Sequence, residues 1–235
     1  MNQSIPPVIC LITGFLACHF IPLNSSVKQY FRSDPADPSD NTRYILFQRS
    51  LSVFVFGFIP LVVIVLTGTE PATIGLNLKN PVFSFGTGAA TGVVLVLINF
   101  LNRKNPENLA AYPQIRKKEW SAEMITASAV SWLAYLLTYE FILRGYLLFS
   151  MAQAFGTWNA VTLNLAFYSL MHVPKGWKEA IGSLPLGFLV CILCLHAGNI
   201  WPAFIAHSFL ALSNEWFALA NHPEIFIKKS GSVRI

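Results

Sequence analysis

Charge is scarce in this chain. Only 11% of its 235 residues are Asp, Glu, Lys or Arg, while 54% are hydrophobic; a soluble domain carries about a quarter charged residues. So few charges cannot clothe a water-facing surface of this size, which argues against a soluble globular protein. Cysteine is rare as well. Cys10, Cys18, Cys191 and Cys194 all lie inside apolar stretches, so a secreted disulfide framework is not expected. Cys191 and Cys194 have redox-like spacing but no polar neighbour to lower a thiol pKa, and they read as small buried side chains. The start, MNQSIPPVICLITGFLACHFIP, lacks the basic region of a signal peptide and reads as a retained first helix. There is no Gly-rich phosphate loop and no HExxH, and Ser169 and Ser208 stand outside any G-x-S-x-G setting. The net charge of +5 is scattered over short links with no stripe or aromatic interleaving, so no nucleic-acid partner is expected.

What the chain has is apolar runs of membrane-crossing length. They predict an all-α, polytopic transmembrane bundle of about seven spans, near 5–23, 45–67, 82–101, 121–150, 157–172, 180–197 and 200–220. Pro6 and Pro7 sit at the start of the first, where missing amide donors matter least. The fourth is too long for a perpendicular crossing and is expected to tilt, break or leave the lipid; the fifth is marginal by length. Gly88 and Gly92 place a small face on the third, suited to close helix packing.

The links carry the basic residues unevenly. Lys28, Arg32 and Arg43 fall in 24–44, beside Pro35 and Pro38; Arg103, Lys104, Arg116, Lys117 and Lys118 fall in 102–120. Lys175 and Lys178 follow the fifth segment, and Lys228, Lys229 and Arg234 lie in the tail. Alternating spans put all of these on one side and leave Lys79 on the other. The positive-inside bias then predicts an outside N-terminus and a cytoplasmic C-terminus, in a cell membrane. By organisation, residues 1–120 hold the N-terminal helices and loops, 121–220 hold a core with a candidate active site, and 221–235 form a cytoplasmic tail.

Ionisable groups inside lipid cost roughly 2.5–3.5 kcal/mol at a helix centre unless they face a partner or a cavity. Glu140 and Arg144 are four residues apart on one helical face and can pair. His172 closes the fifth segment and His207 lies inside the seventh. Two imidazoles and a carboxylate from three helices are the minimum for a metal-activated water, with the carboxylate as base. His196 is a further donor or an interfacial residue, and His19 and His222 read as boundary residues. On straight helices Glu140, about 28 Å along from Ser121, and His207 fall in the outer half, whereas His172 falls at the inner end.

The segment from about 121 to 216 resembles the CAAX-protease and bacteriocin-processing (Abi) family of intramembrane metalloproteases. The family pattern is Glu-Glu-x-x-x-Arg, then Phe-x-x-x-His, then His-x-x-x-Asn on a late helix. Here it reads Tyr139-Glu140-Phe-Ile-Leu-Arg144-Gly145, Tyr168-Ser-Leu-Met-His172, and His207 following Gly198-Asn-Ile-Trp. The sequence departs at Tyr139, where the family has its first glutamate, and at Ala211, where it has the late Asn. Asn214 lies about 10.5 Å along the helix from His207. The resemblance implies a metal-dependent endopeptidase, with His172 and His207 holding a divalent metal, zinc foremost. Glu140 would activate water, and Arg144 would orient Glu140 or neutralise developing charge. The implied partner is a membrane-associated peptide or protein. The alternative is an inactive relative that binds a membrane partner or confers immunity. A transporter would show paired repeats with broken helices, and none is visible.

Overall fold

The computed structural model describes residues 4–31 and 39–228. Arg32, Pro35, Pro38, Lys229 and Arg234 lie outside these described residues. The chain is almost entirely helical: α1 (Ile5–Leu23), α2 (Ser25–Tyr30), α3 (Thr42–Thr67), α4 (Pro81–Asn102), α5 (Pro106–Ala111), α6 (Ala122–Phe155), α7 (Thr157–His172), α8 (Trp177–Ala197) and α9 (Trp201–Asn221). Two short strands, β1 (Glu119–Trp120) and β2 (Phe226–Ile227), pair in parallel.

Local chemistry sets the helix starts. Prolines open α1, α4, α5 and α9, where no intrahelical amide donor is lost. Ser121 caps α6 by accepting from the Met124 amide at 3.3 Å, with Glu123 in the first turn. Both long composite helices contain a π segment. In α3 it spans Phe54–Phe58, immediately before Pro60, whose missing N–H breaks the regular ladder. In α6 it spans Phe141–Leu147, and the Asn164 amide donates to the Leu143 carbonyl inside it at 2.7 Å.

Five helices, α1, α3, α4, α6 and α8, are long and apolar enough to cross a bilayer. The chain is thus an integral membrane protein, and among the described residues five helices, not the expected seven, have the length and apolar composition of a span. The remaining two fail for different reasons. The 16 residues of α7 extend about 24 Å, short of a hydrocarbon core of about 30 Å. In α9 the length suffices, but Ser208, Ser213, Asn214 and Glu215 dilute its apolar character. These are the two helices that carry His172 and His207.

The links gather at two ends of the bundle. At one, Asn77 donates to the Gly198 carbonyl, the Ile200 amide to Gly75, and Gln153 to Thr73. Residues 71–79, 153 and 198–200 are thereby joined. At the other, Asn41 bonds Gln114 and Arg116, Lys117 pairs with Asp40, Lys178 pairs with Glu107, and β1 pairs with β2. This second end collects the basic links. Burial opposes ionisation of Asp40, but hydrogen bonds from Thr42 and the Lys117 ammonium outweigh it and hold the carboxyl below its usual range.

The core surrounds the second half of α6, where Ile142, Leu143, Leu147 and Leu148 are fully buried. Helix α9 packs chiefly on α4, and the small face is what permits it. A Cβ added to Gly88 would stand 2.9 Å from Ile205 Cβ, and one on Gly92 would stand 2.7 Å from the Phe209 ring. The packing role expected for these glycines is what the structure gives them.

Candidate functional site

Three of the four expected site residues converge. His207 on α9 meets Glu140 on α6 with Nδ1 2.6 Å from Oε1. Arg144, one turn further along α6, places Nε 3.5 Å from Glu140 Oε2. Glu140 is 1% exposed, Arg144 0% and His207 16%. A carboxylate partner makes His207 Nδ1 the donor, which leaves Nε2 with a lone pair. The Arg144 guanidinium lies over the Tyr168 ring at 4.0 Å, a cation–π contact in a dry interior.

His172 is held by a different contact. Its Nδ1 donates to the Tyr168 carbonyl at 2.8 Å, so its Nε2 is also the acceptor nitrogen. Two tyrosine rings link the imidazoles in a chain of ring contacts. Tyr139 meets His207 edge-on at 5.8 Å between centroids, Tyr168 lies 6.2 Å from Tyr139, and His172 meets Tyr168 at 4.6 Å. His172 remains within electrostatic reach of Glu140 and His207.

The depths are reconciled by the shape of α6. Its 34 residues extend about 50 Å, so its first turns run past the bilayer core into the basic end. The Asn164–Leu143 bond sets α7 antiparallel to the π segment, bringing Tyr168 level with Tyr139. Gly145 allows the loop at the other end to close down on α6: a Cβ there would lie 3.0 Å from the Ile74 carbonyl oxygen and 3.2 Å from Ile200.

The donor set does not fit the expected zinc or other divalent metal. Among the described residues no three His, Cys, Asp or Glu side chains form a group able to hold an ion. Glu140 gives one oxygen to His207 and turns the other to Arg144, and His207 and His172 pack against the rings of Tyr139 and Tyr168 respectively. Tyr139 stands there in place of a carboxylate, and Ala211 is buried against Trp132 and Leu136, away from any donor role. His196 is exposed beside Phe83, and His222 lies beside Arg116 in the loop region. His19 packs against Phe15 and Phe20.

A second buried polar cluster escaped the sequence reading. Arg49 of α3 donates to Ser128 and Ser131 of α6 and to the Gln114 side chain, and Glu215 of α9 lies 3.8 Å from it. Ser128 also donates to Glu215 at 2.9 Å, and the Gln114 amide donates to the other oxygen at 3.2 Å. Arg49 and Glu215 are ionisable residues inside apolar runs, the same signal that singles out Glu140.

Neither the curated proteins nor the solved structures include a match to this chain. Residues 115–213, with Glu140, Arg144, His172 and His207 among them, match the model of the Rce1-like family, described as type II CAAX prenyl endopeptidase Rce1-like, and form a CAAX-protease-like region.

Proposed function

We propose that this membrane protein is an intramembrane endopeptidase that hydrolyses a membrane-associated peptide or protein through a Glu140–His207 dyad. The observation that carries this reading is the 2.6 Å contact between His207 Nδ1 and Glu140 Oε1 inside the buried core. The carboxylate fixes the tautomer that exposes Nε2 as a general base and stabilises the imidazolium that forms when Nε2 takes a proton. In this mechanism water loses a proton to His207 Nε2 and adds to the scissile carbonyl. The imidazolium then returns the proton to the departing amine, so one water is consumed and an acid and an amine are released. Arg144 lies 3.5 Å from the second Glu140 oxygen and keeps the carboxylate turned toward His207. No step passes through a metal.

One observation favours the second reading, an inactive relative that binds a membrane partner. Glu140 and Arg144 are both closed off from the surface, and Tyr139 fills the ground beside them. The two readings separate in one experiment. Membrane fractions from cells expressing the wild type, Glu140→Gln and His207→Ala are compared for newly formed peptide termini by mass spectrometry. The peptidase reading expects termini present only with the wild type. Identical termini in all three would leave the partner-binding reading.

A further inference from the structure

Asn164 is fully buried in the middle of α7, and both ends of its side-chain amide are bonded. Its Nδ2 donates to the Leu143 carbonyl of α6 at 2.7 Å, and its Oδ1 accepts from the Cys191 thiol of α8 at 3.2 Å. The Leu143 carbonyl also accepts from the Leu148 amide, the i to i+5 bond of the π segment. That carbonyl shares one rigid peptide plane with the Arg144 N–H, so whatever holds it holds the backbone of Arg144. At the far end of the arginine, the guanidinium bonds to the same Cys191 thiol and to the Tyr168 side chain. One asparagine thus constrains Arg144 twice, at its backbone directly and at its charged tip through Cys191.

Stability alone does not call for this arrangement. Replacing both partners of a buried polar bond by apolar groups of the same shape can be nearly neutral, so the Asn164–Cys191 pair is explained by what it holds. Arg144 Nε stands 3.5 Å from Glu140 Oε2, while Glu140 Oε1 lies 2.6 Å from His207 Nδ1. Loosening Arg144 frees the carboxylate to turn, and a hydrogen bond weakens steeply as its angle closes. We infer that Asn164, acting with Cys191, is a positioning residue: it fixes Arg144, and through it the orientation of Glu140 that selects the Nδ1–H form of His207. The inference deepens the peptidase reading and rests on it for the reaction served, but the geometry it concerns is measurable without any substrate.

The test is side-chain NMR of the purified full chain in detergent micelles, isotopically labelled at the histidine nitrogens. The His207 Nδ1 proton, identified by its absence in His207→Ala, is expected at low field in the wild type, as befits a short bond to a carboxylate. Asn164→Leu keeps the volume and removes both bonds; Cys191→Ala removes the thiol with little change of volume. Each is expected to lose that signal and to leave His207 in a mixture of tautomers. Cys191→Ser again both donates and accepts, and is expected to keep the signal. Val161→Ala thins the packing of the same helix at a buried position that makes none of these bonds; it is expected to lower thermal stability and keep the signal. If Asn164→Leu does not fold, the Cys191→Ala and Cys191→Ser pair decides. Absence of the signal from the wild type, its retention in Asn164→Leu or Cys191→Ala, or its loss in Cys191→Ser or Val161→Ala would each overturn the inference. The expected pattern in a wild type whose membranes yield no new peptide termini would keep the positioning role and remove the peptidase reading instead.

Discussion

Glu140 bonds His207 through one oxygen and faces Arg144 with the other, so its charge and its shape have separable consequences. Glu140→Gln keeps the volume but strands Arg144 in a dry core, and breaking a buried pair from one side costs about 3–5 kcal/mol. Removing both charges in Glu140→Gln/Arg144→Gln avoids the stranded cation and is expected to cost less than the single change. Thermal or denaturant unfolding in detergent measures the order; a double variant weaker than the single would show that the pair contributes as a hydrogen-bonded unit, against the arrangement described here. Glu140, Arg144, His172 and His207 were all legible as ionisable residues in apolar runs. The part of Tyr139 was not. Its phenol is excluded as a base by its ordinary pKa near 10, yet only the fold reveals that its ring sits between His207 and Tyr168.

At the level of helices, the sequence predicts every long helix near its observed bounds, because a period-free apolar run is an unambiguous signal. It does not reveal the π segment of α6, since the contact that holds it comes from another helix: Asn164 must reach across from α7 to take the Leu143 carbonyl. Length and polar content already set α7 and α9 apart in the sequence; what the fold adds is that both pack against neighbouring helices of the bundle. The Arg49 network is the clearest case of a tertiary fastener, joining α3, α6, α9 and the loop at Gln114. Since Glu215 meets Ser128 and Gln114 as well as Arg49, the effects of Arg49→Met and Glu215→Gln on stability are expected to be non-additive. Neighbours in one network couple by roughly 0.5–3 kcal/mol. A double-mutant cycle on the unfolding free energy checks this, and strict additivity would mean that the two charges act independently.

For the molecule as a whole, the basic residues and the site lie toward opposite ends. The loops joined at Asp40–Lys117, Glu107–Lys178 and β1–β2 collect the positive charge, whereas Gly145, five residues past Glu140, lies under the loop at Ile74. From the positive-inside bias we propose that the basic end faces the cytoplasm. On that proposal the dyad stands about 8 Å below the outer loops, and a peptide substrate would reach it from the outer half of the bilayer. Lys79 and Lys104 are exposed at the two ends and test this directly. In a background with Cys10, Cys18, Cys191 and Cys194 replaced by Ala, Lys79→Cys is expected to react with a membrane-impermeant maleimide on intact cells. Lys104→Cys is expected to react only after permeabilisation. The converse pattern would turn the bundle over and place the dyad in the cytoplasmic half, with its contacts unchanged but its substrates drawn from the other side.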